Sequence, residues 1–150
     1  TGWQVVNAGV PGHVSAQALE RAPALLAEHR PALVLLGIGG NDFLRRMDEA
    51  QTEQTLRSLV EGARAGGAQA LLIAVPRPTV AARLVGALED HPMYARVAEA
   101  LRVPLHANGW SEVLADEALR ADALHANAQG YATFARGLAE TLRKTGLLAA

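Results

Sequence analysis

The stretch Leu33-Val34-Leu35-Leu36-Gly37-Ile38-Gly39-Gly40-Asn41-Asp42 decides the fold. Its first six residues are apolar without alternation, which is the pattern of a strand covered on both faces, as in a parallel sheet. Two glycines and an Asn-Asp pair then turn the chain at the carboxyl end of that strand. Upstream, Ser15 is placed to cap a helix running to about His29, with Leu19 and Leu26 on its apolar face and Pro31 ending it. Further upstream, Trp3 to Val6 reads as a strand entering the turn Gly9-Val10-Pro11-Gly12. Downstream, Thr52 to Ala65 carries Leu56, Leu59, Val60 and Ala63 at helical spacing and stops at Gly66-Gly67. Leu71 to Val75 is the next buried strand. A helix from about Tyr94 to Leu101 and a strand from Val103 to His106 follow, then a short helix or turn from Glu112 to Leu119. A last helix, capped by Asn127, ends at Gly146. Strands alternating with helices predict an α/β fold with a mostly parallel sheet and right-handed crossovers.

The chain has 150 residues, one domain's worth, enough to bury about 70% of its unfolded surface. Half of the residues are hydrophobic and 19% are charged, a globular composition. Fourteen Lys and Arg against fifteen Asp and Glu leave a formal charge of −1, which argues against nucleic acid or anionic lipid held by a basic face. There is no Cys, so disulfides, thiolate metal sites and Cys nucleophiles are excluded. The longest apolar run, Ala32 to Gly39, is too short to span a bilayer.

In open parallel sheets ligands bind beyond the carboxyl ends of the strands. The residues there are Asn7, Gly9 and Gly12; Gly39 to Asp42; Arg77; His106 and Asn108; and the loop Asp122-Ala123-Leu124-His125 before the last helix. Asp122, three residues before His125, can accept the imidazole Nδ1–H, fix the tautomer and leave Nε2 free as a base. Equally, Asp122 can close an Asx-turn beside a solvated histidine. Asn41 can aim its carboxamide at a developing oxyanion, or be a turn residue with Asp42 capping a short helix. Gly12 can lend a backbone N–H to the same anion, or be a glycine required for positive φ. Gly37-Ile38-Gly39 lacks the third glycine of a dinucleotide fingerprint, no Walker Lys-Ser/Thr follows Gly12, and the five His lie scattered without a carboxylate cluster. No cofactor or metal is expected.

Three segments in this order resemble the SGNH/GDSL hydrolase superfamily: Val5 to Gly12 its second block, Gly39-Gly40-Asn41-Asp42 its third, and Asp122 to Asn127 its fifth. Thr52 to Arg57 and Val103-Pro104-Leu105 look like the branch with arylesterases, acyl-CoA thioesterase I and lysophospholipase L1. The resemblance implies a flavodoxin-like three-layer α/β/α fold that hydrolyses esters or thioesters through an acyl-enzyme. His125 is then the general base, Asp122 its orienting partner, and Gly12 (backbone N–H) and Asn41 (side chain) the oxyanion donors.

The family's first block, G-D-S-[LIV], which supplies the serine nucleophile, has no counterpart in residues 1–150. Ser15 reads as a helix cap, Ser58 lies mid-helix and Ser111 in a late loop. One N-terminally incomplete domain is therefore expected, with the nucleophile upstream and a central strand missing between Trp3–Val6 and Leu33–Ile38. The alternatives are a non-catalytic SGNH-like binding domain and a flavodoxin-like phosphate binder at Gly9–Gly12. The expected partner is a small acyl ester or thioester. Pro76 to Met93 is the expected substrate-facing loop. Oligomeric state, acyl-chain preference, and a periplasmic or cytoplasmic location are not fixed by these residues.

Overall fold

Side chains alternate faces along a strand, and the central strand of this protein shows what that alternation does. In β2 (Gln69–Ile73) Ala70 and Leu72 point into one core and Leu71 and Ile73 into another. The computed structural model describes residues 2–77 and 88–149. In chain order the elements are α1 (Ser15–His29), β1 (Leu33–Leu36), α2 (Gly40–Leu44), α3 (Glu49–Ala65), β2, α4 (Met93–Leu101), β3 (Leu105–His106), α5 (Gly109–Ala115), a 3-10 turn (Glu117–Leu119) and α6 (Ala128–Lys144). The strands are parallel in the order β1-β2-β3, with Leu33 opposite Gln69 and Leu72 opposite Leu105.

On one face Leu56, Val60 and Ala63 of α3 and Met93, Tyr94 and Val97 of α4 pack on Ala70 and Leu72, with α1 lying against α3. On the other, Val113 and Leu114 of α5 and Phe134 of α6 cover Leu71 and Ile73. Helices on both faces of a parallel sheet make the three-layer α/β/α architecture expected from the sequence. Truncating Leu71 or Leu72, both without exposed surface, is worth about 2–5 kcal/mol.

Several boundaries and several readings differ from expectation. Trp3–Val6 forms no strand. Strand pairing is non-local, and no described strand lies beside this segment, so Val5 stays 84% exposed. β1 is covered on both faces only in part, Val34 and Leu36 packing against one core and Leu33 against the other. Among the described residues it pairs only with β2, and Leu35 is 40% exposed. Asn41 and Asp42 sit in a helical turn, α2, rather than in a simple turn. Val14, not Ser15, occupies the N-cap of α1, and the Gln17 side chain accepts the Val14 N–H at 3.1 Å. Asn127 caps α6 as read, accepting the Gly130 N–H at 3.0 Å.

Much of the expected loop from Pro76 to Met93 lies outside the described residues. Its described ends meet as an antiparallel strap: the Arg77 N–H donates to Glu89 O and the His91 N–H to Val75 O, each at 2.9 Å.

Candidate functional site

Beyond β1 the chain folds two of the expected residues against each other. Val10-Pro11-Gly12-His13 closes with the His13 N–H donating to Val10 O at 3.2 Å, and Gly12 has φ +79°. Proline second and a positive-φ glycine third make this a type II turn. The Gly12 N–H belongs to the middle peptide of the turn, which takes no part in closing it, and among the described residues it meets no acceptor.

α2 grips the far limb of this turn. The Asn41 side-chain amide donates to His13 O at 3.0 Å, which occupies one of its two N–H groups and leaves the other over. Arg45 Nη2 donates to Gly12 O at 2.8 Å. Asp42, 1% exposed, accepts the Ser15 N–H at 2.9 Å, the Ser15 hydroxyl at 2.5 Å and the Thr52 hydroxyl at 3.3 Å. The Ser15 hydroxyl therefore does not cap its own helix. It binds a carboxylate that sits at the N-terminus of α1, where the helix dipole favours negative charge. Gly12 and Asn41 are thus joined through one hydrogen-bonded unit.

The second pair lies in the loop before α6. Asp122 accepts the Leu124 N–H at 2.7 Å, the His125 N–H at 2.9 Å, and His125 Nδ1 at 2.9 and 3.0 Å through its two oxygens. The Leu124 N–H first, and then the His125 ring, hold the Asp122 carboxyl below the usual carboxylate range. An ionised Asp122 accepts only, so Nδ1 carries a proton and Nε2 is the ring nitrogen left clear of the carboxylate. The loop is closed at its base by Ala121 N–H to His125 O at 2.8 Å and by the Arg120–Ala126 bridge. His125 is 65% exposed, so its ring is open to solvent rather than packed in a core. One carboxylate thus both closes the Asx-turn and accepts from the imidazole.

The two pairs come from opposite ends of the chain and share no hydrogen bond among the described residues. α6, which follows the His125 loop, packs Phe134 against His106 at the carboxyl end of β3, with the rings 5.2 Å apart. The other polar residues at this edge are engaged in the scaffold. His106 Nδ1 lies 2.8 Å from the Thr141 hydroxyl, and burial holds its pKa down. Asp90 accepts the Asn108 N–H at 2.6 Å and the Ser111 hydroxyl, tying the strap to α5. Arg77 pairs with Glu49 at 3.0 Å, and buried His91 lies 3.3 Å from the same carboxylate. The Asn7 side chain accepts the Gly9 N–H at 3.0 Å.

None of the three serines stands ready as a nucleophile. Ser15 and Ser111 bind Asp42 and Asp90, and Ser58 donates to Gln54 O at 3.1 Å within α3. Sequence reasoning misses Arg45. Its signal is its position four residues after Asn41, which puts the two on one helix face once residues 40–44 are read as helical.

Known proteins share this framework. The model of the GDSL-like lipase/acylhydrolase family matches residues 1–133. The chain is 51% identical to the esterase TesA of Pseudomonas aeruginosa over 76 residues, which are 51% of this chain and 38% of that protein. It is 36% identical to thioesterase 1/protease 1/lysophospholipase L1 of Escherichia coli, over 94% of this chain and 70% of that one. The crystal structure of a TesA superposes with a TM-score of 0.82 at 33% identity, covering 94% of this chain and 78% of that one.

Proposed function

The chain belongs to the GDSL-like lipase/acylhydrolase family, and from that premise we propose that it carries the base and the anion-binding half of a hydrolase acting on carboxylic esters or thioesters. The observation that carries this reading is His125, held through Nδ1 by Asp122 with Nε2 open. In the proposed reaction a serine oxygen attacks the substrate's carbonyl carbon and passes its proton to Nε2. The carbonyl oxygen becomes an oxyanion that accepts from the Gly12 N–H and the spare Asn41 N–H. Collapse of this intermediate expels the alkoxide or thiolate, which takes the proton back from His125. Water, activated by the same nitrogen, then cleaves the acyl-serine and frees the acid. Asp122 keeps the ring in the required tautomer and stabilises the imidazolium.

The nucleophile in this reading is supplied by polypeptide outside residues 1–150, because all three serines here are engaged elsewhere. The names of the relatives, an esterase and a thioesterase/lysophospholipase, support acyl esters and thioesters as the substrate class. The same engagement of the serines favours a second reading, a binding domain of the same fold that turns nothing over.

Hydrolysis of a p-nitrophenyl acyl ester by the full-length protein separates the two. The hydrolase reading expects turnover that falls at least about 10²-fold in His125→Ala. Undiminished turnover in that variant sinks the assignment, and no turnover in either protein selects the binding domain.

A further inference from the structure

We infer that Arg45 is a positioning residue for the oxyanion site, acting through the Gly12 carbonyl. This inference rests on the proposed hydrolase reading and adds to it a residue outside the recognised motifs. The Gly12 donor is conformationally soft. Glycine at φ +79° has the widest backbone freedom of any residue, and the N–H in question sits in the one peptide of the turn that no internal bond fixes. Its direction is therefore set by whatever holds the limbs of the turn.

The near limb is held from α1, where Arg21 Nη2 donates to Ala8 O at 3.0 Å. The far limb is held from α2 at two successive carbonyls, Gly12 O by Arg45 at 2.8 Å and His13 O by Asn41 at 3.0 Å. Arg45 closes α2, its own N–H returning to Asn41 O at 3.0 Å, so the two side chains leave neighbouring points of one short helix. Asn41 spends one N–H on this grip and keeps the other for substrate. Arg45 holds the adjacent peptide, so the angle between the two oxyanion donors is fixed from a single element. Its guanidinium also stands 3.9 Å from where a Cβ would sit on Gly12, one peptide away from the developing negative charge. A hydrogen bond from a charged donor is stronger than one between neutral groups. The rest of the Arg45 side chain is exposed, so its removal leaves no cavity.

Groups aligned for the transition state lower kcat when disturbed and leave ground-state binding nearly untouched. Losing one oxyanion donor outright costs about 10²–10³-fold. Loosening its aim is expected to cost less than losing it, about tenfold in kcat for Arg45→Ala, with KM within about twofold.

The test measures kcat, KM and thermal midpoint on p-nitrophenyl esters in the full-length protein for Arg45→Ala, Arg45→Lys, Arg46→Ala and Asn41→Ala. Lysine can reach a single carbonyl, so Arg45→Lys should recover most of the loss. Arg46→Ala removes the same charge from the next position without touching the turn and should match wild type. Wild-type kcat in Arg45→Ala overturns the inference. A rise in KM alone makes Arg45 a substrate-binding group and overturns it too. An equal loss in Arg46→Ala makes the effect one of net charge and is equally fatal to it. If Asn41→Ala retains full activity, the hydrolase reading itself fails. If Asn41→Ala is crippled and Arg45→Ala is not, only the role of Arg45 is lost.

Discussion

Replacing Asp42 by Asn tests the hydrogen-bonded unit that joins α1 to α2. The two side chains have nearly the same volume, so no cavity opens and the change is electrostatic. The carboxylate accepts the Ser15 N–H and the Ser15 hydroxyl at 2.9 and 2.5 Å, and the Thr52 hydroxyl, whose one proton it shares with Asp48 O at 3.0 Å, stands 3.3 Å away. A carboxamide has one accepting oxygen. If it serves the Ser15 hydroxyl, its NH2 group faces the Ser15 N–H, donor against donor; if it serves that N–H, the hydroxyl must turn to accept from the NH2 group and gives up its charge-assisted bond. An unsatisfied buried N–H, or a charge-assisted bond exchanged for a neutral one, costs about 1–3 kcal/mol. Losing a negative charge from a helix N-terminus adds about 0.3–1 kcal/mol, and more when partly buried. We therefore expect about 3 kcal/mol of lost stability, a large share of the roughly 5–15 kcal/mol typical of a domain. At about 2–4 °C per kcal/mol for a chain of this size, the thermal midpoint should drop by about 6–12 °C. Ser15→Ala removes the hydroxyl and keeps the N–H bond, so it should cost only about 1 kcal/mol. A double-mutant cycle between the two should show coupling of about 0.5–3 kcal/mol. A midpoint for Asp42→Asn within about 2 °C of wild type, at most about 1 kcal/mol, would show that this carboxylate does not hold the two helices together.

Three further outcomes are expected. Asp122→Asn should leave the fold intact and lower kcat by about 10²–10⁴-fold, since an amide in place of the carboxylate favours the wrong tautomer; steady-state kinetics checks it. Stability should fall as pH drops below about 6.5, because burial first of all holds His91 and His106 below the ordinary imidazole range, so the unfolded chain takes up protons before the folded one does. Urea unfolding at about pH 7.5 and about pH 5.5 should show this slope, flattened in His91→Gln. Gly39→Ala should cost about 3 kcal/mol, measured by chemical denaturation. Gly39 has φ +121°, and an added Cβ runs into the Tyr94 hydroxyl, which donates to Ile38 O at 2.6 Å.

What is legible in the sequence is what is encoded locally. The unbroken run at Leu33–Leu36 announces a parallel strand, the spacing of Leu56, Leu59, Val60 and Ala63 announces α3, and Asn127 announces its cap. The contact between Asp122 and His125 is readable because three residues separate the partners. Legibility fails where a distant partner decides. Trp3–Val6 has strand composition and, among the described residues, no strand to pair with. Ser15 has the chemistry of a cap, but its hydroxyl is taken by a carboxylate 27 residues away. The hydrogen bond of Tyr94 to Ile38 spans 56 residues, and nothing in either neighbourhood signals it. Arg45 lies between these cases: its spacing from Asn41 is visible, and its target is not.

The grip of α2 on the Val10–His13 turn has a mechanical corollary. Asn41 and Arg45 hang from one short helix and hold two successive carbonyls, so the turn and α2 are tied into a single body. In the proposed reaction that body is independent of the solvent-facing His125 loop, with which it shares no hydrogen bond among the described residues, so a shift of that loop changes how often a proton is passed and leaves the proposed anion donors where they are.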